Sequence, residues 1–360
     1  MNALKWIKGK NRQRLLMQRR IIFRLYKRIV KPNKLVFNWG GNVRRILIWN
    51  YEGIGDAIVS SGFINELKAH GFDVSVCSSL RNIKFCSEVL GIKRCYSFNE
   101  VSKINNDFDL ILVVKDKFEE REGVQILKLY RKTHAKYIIG FDDPLKLNDL
   151  TLDCMHDKHV TKKFAQVLEY LGIKEYDLSY KIDVLKNYED EVLKFISQFK
   201  DKKIVCLNAF AGDERRSFSI EQVEKITKYI SYYEDTVVIL IGSQEQMKKL
   251  SVIKQSNIFL TPVSLGRISH AVALIRFADL VITPDTSVVH MANAYNKKMI
   301  SVYNNRKEDG DVDINVVWGP NYTNCVQLFT KDDWGMKEGD YISRYDVTEM
   351  FPYIDHFLKL

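Results

Sequence analysis

The 360-residue chain has no C-x-x-C pair, no G-x-x-x-x-G-K-[ST] phosphate loop and no G-x-S-x-G elbow. Without the first, the six cysteines (77, 86, 95, 154, 206 and 325) have no metal-ligand or redox spacing, and no cleavable apolar leader points to an oxidising compartment. They read as reduced, mostly buried thiols of a cytosolic protein. The other two absences remove support for P-loop and hydrolase chemistry. Long apolar runs are also lacking: Leu110 to Val114 and Val237 to Ile241 fall far short of the ~20 residues that span a bilayer. His156 and His159 have H-x-x-H spacing but no third ligand, so no metal site is predicted.

Acid is missing from one region. Residues 1–45 carry fourteen Lys or Arg and no Asp or Glu, so the whole net charge of +10 resides there and the remainder is slightly acidic. Within this arm Leu15, Ile22, Leu25, Tyr26 and Ile29 fall near one helical face, with Arg20, Arg24, Lys27, Arg28 and Lys31 mostly around the other. A basic amphipathic helix suits an anionic membrane surface. Docking on the body by the apolar face is the next reading, and a nucleic-acid arm ranks below both because no reader motif accompanies the charge.

After the arm, apolar β-rich runs alternate with amphipathic stretches, the pattern of parallel sheets wrapped by helices. Strands are predicted near Arg45 to Trp49, Asp73 to Cys77, Leu110 to Val114 and Tyr137 to Gly140. The alternation restarts with strands at Lys203 to Asn208, Thr236 to Ile241, Ile258 to Leu260, Leu280 to Thr283 and Met299 to Val302. The length also favours two domains. The expected division is a basic arm at 1–44, doubly wound α/β domains at 45–180 and 181–340, and a terminal helix at 341–360 that packs back on the first domain.

Open α/β sheets bind ligands beyond the carboxyl ends of their strands, and three such places carry chemistry. In ILIWNYEGIGDAIVSS, Gly53 and Gly55 precede Asp56 at a helix start, but the third glycine of a dinucleotide fingerprint is missing. Asp56 is then either a helix cap or a general base acting on a neutral hydroxyl. In CLNAFAGDERRSFS, one of Arg215 and Arg216 reads as surface charge, and the other as a partner for a phosphate leaving group. In LVITPDTSVVHMANA, Asp285, Thr286 and Ser287 open a helix whose free amides suit an anion, with His290 one turn in. The plainer alternative makes Thr286 or Ser287 a cap and His290 a core residue.

Together these three stretches resemble the heptosyltransferase family of glycosyltransferases, in the family's order, over roughly Arg45 to Asp309. The resemblance implies a GT-B architecture, two Rossmann-like domains facing a cleft, and inverting transfer without metal or cofactor. The implied donor is ADP-heptose and the implied acceptor a lipopolysaccharide core. It implies Asp56 as the general base, with Gly55 beside it on the acceptor side. Arg216 falls where a lysine commonly meets the donor phosphates, and Asn208, Asp285, Thr286, Ser287 and His290 fall around the donor. Glu245 falls where the family binds the ribose. Ser287 and Val288 replace a glycine and a small or apolar residue, and Ala209-Phe210 replace Pro-Gly, so the donor sugar is less fixed than the reaction. The implied setting is the cytoplasmic face of a Gram-negative inner membrane, where a lipid-linked acceptor and the anionic surface would be the partners, not nucleic acid. Alternatives are a family transferase using another nucleotide sugar, an epimerase of the same architecture, and a non-catalytic protein recruited by residues 1–45.

Overall fold

A computed structural model describes residues 2–37, 43–49, 53–308, 312–331 and 339–359, with side chains described for all of these except 2–12, 307–308 and 312–313. The strands of the first sheet are β1 (Arg45–Trp49), β2 (Asp73–Ser78), β3 (Arg94–Ser97), β4 (Leu110–Val113), β5 (Tyr137–Gly140) and β6 (Leu150–Thr151). They pair in the order β3-β2-β1-β4-β5-β6, all parallel. The second sheet comprises β7 (Lys203–Asn208), β8 (Thr236–Ile241), β9 (Ile258–Leu260), β10 (Leu280–Pro284) and β11 (Lys298–Tyr303). After a small hairpin of β12 (Lys307–Glu308) and β13 (Val312–Asp313), β14 (Cys325–Phe329) completes it. Its parallel order β14-β11-β10-β7-β8-β9 repeats that of the first sheet. Each sheet therefore has a switch point, between β1 and β4 and between β7 and β10, where chain crossovers leave in opposite directions and a crevice opens.

The central strands form because they are apolar on both faces, as parallel strands under two helical layers must be. All six residues of β8, TVVILI, are buried. Helices α1 (Asn2–Val30), α2 (Ile54–Val59), α3 (Ser61–Ala69), α4 (Leu80–Glu88), α5 (Glu120–Lys132) and α6 (Thr161–Tyr170) belong to the first half. Helices α7 (Lys186–Ile196), α8 (Ile220–Ile230), α9 (Gln244–Leu250), α10 (Ile268–Phe277), α11 (Ser287–Ala294), α12 (Ile314–Val317) and α13 (Phe351–Lys359) follow. All six cysteines are free thiols. Burial pushes Cys77, Cys95, Cys154, Cys206 and Cys325 up to about 12, so they stay protonated at neutral pH.

The terminal segment does not return to the first domain as expected. Ile342, Val347, Met350, Ile354 and Leu358 are buried in the core of the second sheet with Val205, Val223 and Ile226. The hydroxyls of Tyr229 (2.7 Å) and Tyr233 both donate to Asp355, which fixes α13 against α8 and the turn after it.

The arm docks on the body, but of the face that periodicity marks only Tyr26 takes part. Phe23 is buried, and Tyr26 and Val30 are partly buried beside it, while Leu15, Ile22, Leu25 and Ile29 are exposed. The reason is local: α5 carries Gly123, on which a side chain would come within 2.8 Å of the Phe23 ring. Below this, Lys31 and Asp149 form a buried ion pair at 2.7 Å, with side-chain exposures of 3% and 0%. Asp149 also accepts the amides of Leu35 (2.6 Å) and Ile138 (2.8 Å). Asp149→Ala would leave a buried ammonium and two amides without their acceptor. We expect a loss of about 3–5 kcal/mol, read as a lower denaturant midpoint; an unchanged midpoint would show that the pair is dispensable.

Candidate functional site

A cleft of about 1200 Å³ lies between the two sheets and is lined from both switch points. Eight Lys or Arg and only four Asp or Glu line it, although the chain beyond the arm is slightly acidic overall. Gly55, Asp56, Asn208, Arg216, Asp285, Thr286, Ser287 and His290 all lie on its wall.

The first-domain side is built on α2. Gly53 is the N-cap of this short helix, and its amide donates to Asp56 Oδ2 at 2.6 Å from three residues away, the one half of a capping box that a glycine N-cap allows. Asp56 is thus not the N-cap itself but closes the first turn from its third position, and it also lines the cleft. Gly55 contributes by having no side chain, since a methyl group there would come within 3.1 Å of the His290 ring. This lets α2 rest on α11, joining the two domains on the cleft floor.

The second-domain side is organised by a hydroxyl network at the ends of β7 and β10. Asn208 Nδ2 donates to Thr283 Oγ1 and Thr286 Oγ1, each at 3.1 Å. Thr286 is the N-cap of α11, its oxygen accepting the Val288 amide at 3.2 Å. Asn208 thus positions the start of α11. Arg216 reaches the same point, with Nη1 2.9 Å from Asp285 Oδ2 and 3.3 Å from the Asp285 carbonyl. Its Nε is buried and makes no hydrogen bond. Arg215 instead pairs with Asp213 at 2.7 Å, which resolves the two arginines into one surface and one cleft residue.

His290 is buried, with its pKa pushed down to about 3 by burial and, secondarily, by nearby His159. It is neutral at physiological pH. Its ring stands 5.9 Å from that of Tyr180 and 6.5 Å from that of Trp318, and its Nδ1 has no hydrogen bond. His159 is likewise lowered to about 4 by burial, and contacts Thr161 and Tyr180 through its two nitrogens. Among the described residues, no group of three or more His, Cys, Asp or Glu is arranged to hold a metal ion.

A family model described as glycosyltransferase family 9 (heptosyltransferase) matches residues 104–330. The chain belongs to that family. It is 22% identical over 299 residues, 79% of its length and 80% of the other's, to a relative from Escherichia coli (strain K12) provisionally named lipopolysaccharide heptosyltransferase 4. Among solved structures, a family 9 glycosyl transferase from Veillonella parvula superposes with a TM-score of 0.72 at 14% identity, over 91% of this chain and 99% of that one. The ADP-heptose LPS heptosyltransferase II of E. coli gives 0.68 at 12%, over 88% and 98%. The paired six-stranded sheets are thus the GT-B fold of this glycosyltransferase family.

One residue assigned through the family resemblance is not brought into the cleft. Glu245 lies in the first turn of α9 and is exposed. Gln246, the next residue, lines the cleft and turns back to accept the Ser243 amide at 2.8 Å. Other cleft residues were overlooked in the sequence. Lys115, Asp116 and Lys117 follow β4 at the first switch point, where the strand-end rule would have found them. Lys163 is visible only in the fold: it arrives from α6, buried, to pair with Asp116 at 2.8 Å and with the Val114 carbonyl at 3.1 Å.

Proposed function

We propose that this family 9 glycosyltransferase transfers heptose from ADP-heptose to a hydroxyl of a lipopolysaccharide core acceptor, in one inverting displacement without metal or cofactor. The observation that carries this reading is the seating of α2 on α11 at Gly55 and His290. It puts the Asp56 carboxylate and the Arg216-backed start of α11 on the walls of one cleft. Direct displacement at an anomeric carbon needs one group to take the acceptor proton and others to receive the departing diphosphate. Asp56 serves the first need. Arg216 and the positive end of α11 at Ser287 serve the second. The names of two relatives support the substrate pair, one specifying ADP-heptose and the other lipopolysaccharide. Such an acceptor places the enzyme at the cytoplasmic face of the inner membrane.

Donor identity is tested by thermal unfolding of the full chain with ADP-heptose and with UDP- and GDP-sugars. ADP-heptose at a hundred times its Kd should stabilise the protein by about 2.7 kcal/mol. Stabilisation by a UDP-sugar, with none from ADP-heptose, would favour a family member with another donor.

A further inference from the structure

Helix α1 is fastened by one side and open on the other. At about 100° per residue, Phe23, Tyr26, Lys27 and Val30 share the side facing α5. Met17, Ile21, Leu25, Ile29, Ile22 and Leu15 follow one another around an arc of about 160° on the far side. Their exposures run from 48% to 75%. Arg14, Arg24 and Arg28 are exposed within or beside this arc, and no acidic residue occurs anywhere in residues 1–45. Six exposed large apolar groups on one arc, with Arg14, Gln18 and Arg28 set among them, make a mixed apolar and cationic face that exceeds ordinary scatter.

The direction of the helix adds a second observation. Arg20 meets Glu120 at 3.0 Å, Phe23 packs on Gly123, and Lys31 stands over the Tyr130 ring at 4.7 Å, so α1 runs parallel to α5. Residues 2–19 therefore continue past the amino end of α5, by about 27 Å at the helical rise. That end follows Lys115, Asp116 and Lys117, which line the cleft. The free half of α1 overhangs the cleft side of the first domain.

We propose that the outer face of α1 is a docking surface for anionic phospholipid. It lies in the headgroup plane with its aliphatic stripe inserted, and holds the acceptor side of the cleft at the bilayer. Charge complementarity decides the occupant: aliphatic groups among arginines suit an apolar interior beneath an anionic surface. A second copy of the same face would bring Arg14, Arg24 and Arg28 against like charges. Docking stands on α1 alone, whereas the orienting role rests on the transfer reading above.

The test uses the full chain and the variant Ile21→Gln, Ile22→Gln, Leu25→Gln and Ile29→Gln, whose sites are exposed and spare the fold. Co-sedimentation with phosphatidylglycerol/phosphatidylethanolamine vesicles should fall at least about a hundredfold in partition coefficient for this variant. Replacing Arg14, Arg24 and Arg28 with Gln should cost about fivefold per charge on these vesicles, and little on phosphatidylcholine. Equal pelleting of the four-Gln and wild-type chains overturns the proposal, as does a wild-type chain that stays in the supernatant. A wild-type dimer that the four-Gln variant abolishes, with no vesicle binding, would also overturn it in favour of self-association. The orienting role predicts equal transfer by both proteins to a delipidated acceptor and a loss by the variant only on vesicle-borne acceptor. Equal loss on both acceptors overturns that role, and a wild-type chain inactive on both overturns the transfer reading while vesicle binding still decides docking.

Discussion

Asp56→Asn should lower the single-turnover transfer rate by about three orders of magnitude, while thermal stability and donor affinity stay near those of the wild type. This substitution separates the observed first-turn bond of the carboxylate from its proposed role as base. As a cap, its Oδ2 accepts the Gly53 amide at 2.6 Å, and the amide oxygen of asparagine can accept the same bond. As a base, it must take a proton from the acceptor hydroxyl, which asparagine cannot do. The start of α2 is thus preserved, together with the contact of Gly55 on His290 that closes the cleft floor. Asp56→Ala removes the cap as well and should add a stability loss of about 1 kcal/mol. If the asparagine variant turned over at near-normal rate with chemistry limiting, Asp56 would be a cap alone and the proton acceptor would have to be sought elsewhere in the cleft.

The central strands were the most plainly legible in the sequence. β1, β4, β7, β8 and β10 are buried on both faces and read as unbroken apolar runs, which leave few alternatives to a parallel sheet. Three outer strands were missed for the converse reason, although the edge strand β9 (IFL), also only partly buried, was read. β3 (RCYS) and β14 (CVQLF) are only partly buried, so their composition is mixed, and β6 has two residues. In α1 the amphipathic period was visible but the docked side was not. That side depends on a gap at Gly123, about a hundred residues away.

The site was legible wherever a strand end places it. Asp56, Asn208 and Asp285 each come shortly after or at the end of a central strand, and position alone brings them to the cleft. Glu245 does not line the cleft although it follows β8 as Asp56 follows β1: both sit in a first helical turn, where one residue turns a side chain by about 100°, and on α9 it is Gln246 that lines the cleft. Gln246 has the orientation that Glu245 was expected to have. Asn208 was found for an incomplete reason: its amide is committed to Thr283 and Thr286, so it acts by fixing the start of α11. Lys163 and Trp318 carried no local signal, since only the packing of α6 and the segment after α12 brings them to the cleft.

Arg216→Met should reduce kcat/KM by a factor of about 10² to 10³, with KM raised and kcat lowered together. The guanidinium is held by Asp285 through Nη1, while its buried Nε makes no hydrogen bond. Methionine removes the cation and also leaves the Asp285 carboxylate uncompensated beside the incoming phosphates, so donor binding suffers before chemistry begins. Arg216→Lys keeps the charge, and the family resemblance places lysine at this position, so its loss should stay within about tenfold. The double variant Arg216→Met/Asp285→Asn should recover part of the binding loss but not the rate, because it removes the repulsion without restoring the cation. If Arg216→Met left both KM and kcat unchanged, the departing diphosphate would have to be received by other cleft cations, such as Lys115, Lys117 or Arg267.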